Sequence, residues 1–247
     1  MSAQPITPAP ITLIEAITQA LAYELRTDES VVVLGEDVGV NGGVFRATAG
    51  LSAVFGTERV LDTPLDETTI AGLTVGLATQ GMKPVAEAQF DGFMYPMVDH
   101  IVCHAARFRY RTRGRLTCPM VLRVPWGGGI RAPEHHSEAN EAIFTNVPGL
   151  RVVMPSSPQR AYGLLLAAIR DLALDLDQLG HLVEEPRIDA GELEHARGRE
   201  PGAECVRDPE QPIGTGFAQL ACQLDLAVFL VEVMGARGEA VDADLAA

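Results

Sequence analysis

Short apolar runs rich in β-branched residues alternate, over the first two thirds of the chain, with longer stretches of helical spacing. The runs lie at 30–35, 59–62, 84–89, 119–124 and 150–154. Because parallel strands need a crossover helix between them, this alternation predicts an α/β fold, a parallel sheet with helices on both faces. In such sheets ligands bind beyond the carboxyl ends of the strands, so chemistry is expected in the loops that follow them.

The segments between the runs carry helix signals. Thr12 and Glu15 have the spacing of a capping box before an amphipathic stretch. Ser156 and Ser157 followed by Pro158 are typical of a helix start. Helices are therefore predicted over 14–25, 67–81, 93–113 and from 158 to about 170.

The formal net charge of −14, from 33 acidic and 19 basic residues, disfavours partners such as nucleic acid or an anionic membrane, since like charges repel. Residues 172–247 hold 16 of the acids and 5 of the bases, so most of the excess belongs to this tail. We see no signal-peptide pattern, and no apolar run approaches the roughly 18 residues of a membrane span. The four cysteines form no C-x-x-C pair, which argues against a zinc ribbon or a dithiol site. We expect a cytoplasmic protein.

Glu67 is the first candidate for catalysis. It follows the strand over 59–62 and opens the small-residue helix. An acid in a first turn can simply cap the helix and interact with its dipole. Alternatively, a carboxylate at a strand-to-helix turn in apolar surroundings has a raised pKa suited to proton transfer.

His135 and His136 lie in a glycine-rich loop after the strand over 119–124. They are either two surface histidines or groups placed for chemistry at the carboxyl end of the sheet. Glu134 and Glu138 can orient an imidazole, but no third ligand has metal-site spacing.

Aromatic and glycine residues occupy two other loops of this kind. Phe90, Phe93 and Tyr95 either start a packed helix or offer a ring to a heteroaromatic cofactor. Glycines that can cradle a phosphate follow the first strand, although no GxGxxG or Walker pattern is present. They are Gly39, Gly42 and Gly43.

Several motifs occur in one order along residues 11–171. They are LGEDVG, DTPLDE, AEAQFDGFMYP, RVPWGGGI, EHHSE and PGLRVVMPSSPQRAYGLLLAAIRD. Glu67 followed by Gly72 and Gly76 also matches the motif with which thiamine-diphosphate enzymes place their catalytic glutamate. Together these motifs resemble the β subunit of the 2-oxoacid dehydrogenase E1 component, of the pyruvate and branched-chain types.

The resemblance implies a transketolase-like pyrimidine-binding domain over 11–171. Glu67 would hydrogen-bond the pyrimidine N1′ of thiamine diphosphate and support proton transfer at its thiazolium C2. Phe93 would pack on the pyrimidine ring. His136 would lie near the substrate and the incoming lipoyl group. Glu36 would belong to a polar chain between paired active sites.

The same resemblance implies partners and ions. An E1 α subunit would hold most of the diphosphate and its Mg²⁺, forming a heterotetramer, and an E2 lipoyl acyltransferase would accept the acyl group from the 2-oxo acid. Gly72 and Gly76 would lie on a helix between subunits. A potassium ion would be bound by carbonyls near Met120, Ala168 and Asp171.

The chain departs from this family after Asp171. Residues 172–247 lack the D-P-V-(I/V)-F-x-E strand and the second α/β domain that follow in relatives. Either a change of reading frame near residue 171 or a genuine short variant with a replaced C-terminus explains such an acidic tail. Because the second domain normally covers apolar surface, we expect poor solubility of the isolated chain.

Three functions remain open at this point. The leading one is the β subunit of an oxidoreductase that decarboxylates pyruvate or a branched-chain 2-oxo acid. The second is a truncated, non-catalytic chain that at most binds the α subunit. The third, a transferase of transketolase type, is disfavoured by the HHSE motif and by the missing phosphate-binding half. Residues 1–10 are expected to be a flexible arm.

Overall fold

The computed structural model describes residues 11–127, 131–170 and 226–229, which form one five-stranded sheet and its covering helices. The strands are β1 Val31–Gly35, β2 Val60–Asp62, β3 Lys83–Glu87, β4 Val121–Pro125 and β5 Leu226–Phe229. The α-helices are α1 Leu13–Thr27, α2 Leu51–Phe55, α3 Glu67–Thr79, α4 Phe108–Arg111, α5 Glu141–Thr145 and α6 Pro158–Ile169. Within these described ranges, no helix is long and apolar enough to cross a bilayer.

The sheet has the order β2-β1-β3-β4-β5, and its first four strands are parallel. The carboxyl ends of β1, β2, β3 and β4 therefore meet at one edge, as the alternating sequence pattern predicted. β5 runs antiparallel to β4, with Val124 opposite Ala227. This strand comes from the acidic tail 172–247.

One face of the sheet is covered by α1 and α6. α1 begins with the predicted capping box, in which Thr12 accepts from the backbone of Glu15 and Glu15 accepts from the backbone of Thr12. α1 and α6 pack on each other and enclose an apolar cluster against the sheet. The side chain of Arg170 donates to Glu24 at 2.6 Å and joins the two helices at their ends.

The opposite face is covered by α3 and by the helical turns that follow β3. Their apolar cluster includes Ile70, Met94, Met97 and Leu122, all of them buried. Both faces of the sheet are thus covered by helices, which confirms the predicted fold class.

The prediction of one long helix over 93–113 is wrong, because this range consists of several short helical segments. The structure has a 3₁₀ segment Asp91–Met97, a π segment Asp99–His104, a 3₁₀ turn Ala105–Arg107 and then α4. Pro96 cannot donate a backbone hydrogen bond, which disfavours a regular α-helix at this point.

The strand predicted over 150–154 is also absent as a strand. Only Val153 makes an isolated bridge. The free hydrogen-bonding edge of β4 is instead paired with β5, so a further parallel strand has no edge there to extend. Apart from 226–229, the predictions for the arm 1–10 and the tail 172–247 lie outside the described residues.

Candidate active site at the carboxyl edge of the sheet

Four loops meet at the carboxyl edge of the parallel strands. Glu36 follows β1, Glu67 lies beyond β2, Phe93 lies beyond β3, and His136 lies in the loop after β4. The four residues singled out from the sequence as catalytic or cofactor-binding are therefore brought to the same edge. This placement follows from parallel pairing, because each strand delivers its next loop to this side.

Glu67 is the first residue of α3 but does not cap it. Asp66 is the N-cap residue, and its carboxylate accepts from the backbone N–H of Thr68 at 3.1 Å and from the Thr69 hydroxyl. The Thr69 hydrogen bond contributes most to lowering the pKa of Asp66. The sequence left two roles open for Glu67, helix capping and catalysis. Asp66 fills the capping role. Glu67 is partly buried, and its side chain does not cap the helix.

Glu36 lies close enough to Glu67 for their charges to interact. The pKa of the Glu36 carboxyl is raised, first because it is partly removed from water and then because Asp37 and Glu67 are negatively charged. The two carboxylates therefore lie at the same edge of the sheet and influence each other through their charges.

An aromatic cluster forms the other side of this edge. The ring of His136 lies 4.6 Å from that of Phe90 and 5.1 Å from that of Phe93, centre to centre. Phe90 and Phe93 meet edge to face at 6.2 Å. Phe93 and His136, predicted separately, are direct neighbours, and their flat surfaces suit a planar heteroaromatic ligand.

Phe45 is a site residue that sequence reasoning missed. Its ring meets Phe90 edge to face at 6.0 Å, and 36% of the residue is exposed. Its backbone has a φ of 52°, a left-handed conformation that is strained for an aromatic residue. Strain of this kind is concentrated at functional sites, and the preceding Gly42 and Gly43 were the only sequence signal of an unusual turn.

The two histidines have different surroundings. His135 faces the acids, with Glu138 at 3.5 Å from its Nδ1 and Glu134 at 3.7 Å from its Nε2. His136 instead places its Nδ1 at 3.0 Å from the backbone carbonyl oxygen of Glu134. Glu134 and Glu138, the acids expected to orient an imidazole, therefore contact His135. A backbone carbonyl orients His136 instead.

The glycine loop after β1 is used internally and is not a phosphate cradle. The amides of Gly39 and Val40 donate to the carboxylate of Asp62 at 2.5 and 3.0 Å. A side chain at Gly43 would come within 2.6 Å of the Glu87 carboxylate. The amide of Gly43 donates to the carbonyl oxygen of Asp37 at 2.9 Å. Because the amides of Gly39, Val40 and Gly43 have protein partners, they are not free to bind an anion.

The glycines of α3 have separate environments. Gly72 packs inside the chain, where an added Cβ would lie 3.4 Å from the His100 ring. Gly76 has nothing within 4 Å of such a position. Leu73 is 40% exposed and lies three residues before Gly76, so the two share an open apolar side of the helix.

The predicted potassium ligands lie at the opposite, amino end of the sheet. Met120 and Ala168 line one small recess together with residues of β3. Asp171 lies outside the described residues. In the part of the chain that the structure describes, no group of three or more histidine, cysteine or acidic side chains is arranged to hold a metal ion.

Comparison with known proteins gives the class that this fold and site define. The transketolase pyrimidine-binding domain family matches residues 9–174. The chain belongs to this family.

The relatives with high sequence identity belong to one group within this domain family. The chain is 47% identical over 236 residues to the pyruvate dehydrogenase E1 component subunit beta of Acholeplasma laidlawii, covering 94% of this chain and 71% of the relative. It is 53% identical over 163 residues to the same subunit of Bacillus subtilis and 53% identical over 161 residues to the 2-oxoisovalerate dehydrogenase subunit beta of that organism. Within the domain family, the chain is therefore a member of the E1 β subunits.

The alignments differ in how far they extend. The two Bacillus subtilis alignments cover 66% and 65% of this chain and 50% and 49% of the relatives, so the chain spans about half of their length. The Acholeplasma alignment covers 94% of the chain and so extends past Asp171 into the tail.

Proposed function

We propose that this chain supplies the pyrimidine-side half of a thiamine diphosphate site in a 2-oxoacid dehydrogenase E1. The observation that carries the proposal is the placement of Glu67 at the start of α3, on the same edge as the ring cluster of Phe93 and His136. The names of the relatives support a substrate that is pyruvate or a branched-chain 2-oxo acid.

The residues present fit the pyrimidine part of the cofactor. Phe93 and its aromatic neighbours offer apolar faces for a planar ring, and Glu67 offers a carboxylate to a ring nitrogen. The amides of Gly39 and Val40 are already bonded to Asp62. We therefore assign the diphosphate and its Mg²⁺ to an α subunit.

Each residue has a defined task in this proposal. When bound, thiamine diphosphate supplies the electron sink that decarboxylation of a 2-oxo acid requires. Glu67 holds a proton at the pyrimidine N1′, and Glu36, whose pKa is raised by burial and by its acidic neighbours, belongs to a polar chain between paired active sites. Phe93 orients the ring and excludes water. His136, held by a carbonyl, faces the substrate and the lipoyl group.

The partners follow from the same assignment. The open side of α3 around Leu73 and Gly76 suits a neighbouring subunit, which we take to be part of an α₂β₂ heterotetramer. An E2 lipoyl acyltransferase accepts the acyl group. A potassium ion bound by carbonyls near Met120 and Ala168 stays part of the proposal. We place the complex in the cytoplasm.

Co-expression with the α subunit tests the proposal. We expect Mg²⁺- and thiamine-diphosphate-dependent decarboxylation of pyruvate or 2-oxoisovalerate, and we expect Glu67→Gln to lower kcat by about 10²- to 10⁴-fold. Glu15→Gln is the matched control, because it alters a first-turn acid of α1 and keeps the capping box. Equal activity of Glu67→Gln and the native chain would contradict the assignment.

The alternative is a non-catalytic chain that binds the α subunit. Co-purification of the α subunit without any decarboxylation would support this alternative. Activity that depends on Glu67 would exclude it.

A further inference from the structure

The segment from His135 to Asn140 is anchored at three points by residues that directly follow β3. The amide of Gly92 donates to the carbonyl oxygen of His135 at 3.0 Å. The carboxylate of Asp91 accepts from the amide of Asn140 at 2.6 Å. The hydroxyl of Tyr95 donates to Glu138 at 2.6 Å. Both ends and the middle of the segment are thus fixed to one short stretch.

Asp91 is the buried anchor. Only 1% of the residue is exposed, and its Oδ1 atom has no hydrogen-bond partner among the residues that the structure describes. Its other oxygen serves the amide of Asn140, whose side-chain amide in turn donates to the Asp91 carbonyl at 3.4 Å. A carboxylate is costly to bury, so this position is not explained by packing. Its described side-chain hydrogen bond goes to the histidine loop.

Gly92 sets how closely the loop approaches. A Cβ at this position would come within 2.5 Å of the carbonyl oxygen of His135, so the loop backbone lies directly on the glycine. The chain from His135 to Asn140, which includes His136, is then held in position at its first residue. The anchor at Asp91 determines where that span ends.

Tyr95 is the weaker anchor. Its side chain is 49% exposed, and its hydroxyl bonds Glu138 and Asn140 where water competes. Exposed hydrogen bonds contribute less to order than a buried bond to a charged group. The bond from the Asn140 amide to the buried carboxylate of Asp91 is therefore the stronger anchor.

We infer that Asp91 is a positioning residue for His136. By accepting the Asn140 amide, it fixes the loop so that the His136 ring lies against Phe90 and Phe93. The inference deepens the proposed function and rests on it for the role of His136. The anchoring itself is a property of the chain and holds independently of any reaction.

Hydrogen exchange on the full chain tests the anchoring. Asp91→Ala is expected to speed exchange of the Asn140 amide by about tenfold or more, because the acceptor is lost. Asp91→Asn is expected to retain most of the protection, since its amide oxygen can still accept. Asp99→Ala is the control, because Asp99 is an exposed acid of the same helical run with no bond to the loop. Unchanged exchange in Asp91→Ala would overturn the positioning role.

Kinetics of the complex with the α subunit complete the test. With Asp91→Ala we expect kcat/KM for the 2-oxo acid to fall by about 10- to 100-fold, while half-saturation by thiamine diphosphate changes little. Asp91→Asn is expected to restore most of the loss. Faster exchange with unchanged kinetics would keep the anchor and overturn the role of His136 in the proposed function. Should Asp91→Ala fail to fold, exchange of the Asn140 amide in Asp91→Asn as fast as that of an unstructured peptide would overturn the inference.

Discussion

The guanidinium of Arg123 and the carboxylate of Glu87 are paired inside the sheet, with 1% and 2% of their side chains exposed. The two residues lie side by side on β4 and β3. Glu87 also accepts from the amide of Val44 at 2.6 Å. A single buried ion pair thereby joins two strands to the loop that carries Phe45.

Removal of one member of this pair is expected to be strongly destabilising. Arg123→Met should lower the free energy of unfolding by roughly 3–5 kcal/mol, because Glu87 would be left as an uncompensated buried charge. The double variant Glu87→Gln with Arg123→Met should cost less than the sum of the single changes. Urea titration of the full chain gives these values.

Arg115→Met is the matched control for this prediction, since Arg115 is exposed. It should change the free energy of unfolding by no more than about 0.5 kcal/mol. Additive single changes at Glu87 and Arg123 would show that the two charges are not coupled.

Gly43 is expected to tolerate substitution worse than Gly56. Both have a positive φ, +68° and +87°, but a Cβ at Gly43 would come within 2.6 Å of Glu87, whereas one at Gly56 meets nothing within 4 Å. Gly56→Ala should cost only the backbone strain of about 1–2 kcal/mol. Gly43→Ala should cost more, because the Glu87 carboxylate must move. Thermal unfolding of the two variants measures the difference, and equal costs would contradict the close approach.

Asp91 should make stability depend on pH in a defined window. Burial raises the pKa of its carboxyl to about 6. The hydrogen bond from the Asn140 amide lowers this pKa, and the negative charges of Glu141 and Glu138 raise it further. The folded chain therefore holds this proton more tightly than the unfolded chain, and its contribution to stability falls as pH rises from about 4 to about 6. Asp91→Asn, which stays neutral, should gain up to roughly 3 kcal/mol relative to the native chain between pH 4 and pH 8.

Urea titrations of both chains at pH 4, 6 and 8 measure this gain. His135 and Tyr95 are titratable groups near the loop, but they are present in both chains and cancel in the difference. A difference that does not change with pH would show that folding does not raise the pKa of the Asp91 carboxyl.

The capping box of α1 should contribute to stability in the usual range. Thr12→Ala removes the oxygen that accepts from the Glu15 amide at 3.2 Å and should cost about 1 kcal/mol. Thr145→Ala is the control, because its hydroxyl bonds a carbonyl in the last turn of α5 and caps no amide. Guanidinium titration compares the two, and equal costs would argue against a role for the box.

The fold was largely predictable because its signals are local. Strands β1 to β4 are short apolar runs, and the boundaries of α1 and α6 follow from Thr12, Ser157 and Pro158. The run after β3 was predicted wrongly as one helix, although Pro96, which disfavours a regular α-helix, was visible in the sequence. The short apolar segment 226–229 does not by itself say with which strand it pairs.

The candidate site divides in the same way. Glu67, Phe93 and His136 were found because each lies just beyond a predicted strand. The cap at Asp66 was missed, since the sequence alone does not say which of two adjacent acids accepts the helix amides. Asp91 and Phe45 were missed because their roles depend on tertiary contacts, a buried bond to Asn140 and a ring stacked edge-on to Phe90.

The packing of α1 on α6 has a consequence during synthesis. The two helices are separated by more than 130 residues, yet each covers the apolar side of the other, and Arg170 reaches back to Glu24. At ribosomal speeds of about 5–20 residues per second, the apolar side of α1 stays exposed for roughly 7–30 s before α6 has been synthesised. The apolar cluster between α1, α6 and the sheet therefore closes only when residue 169 has emerged.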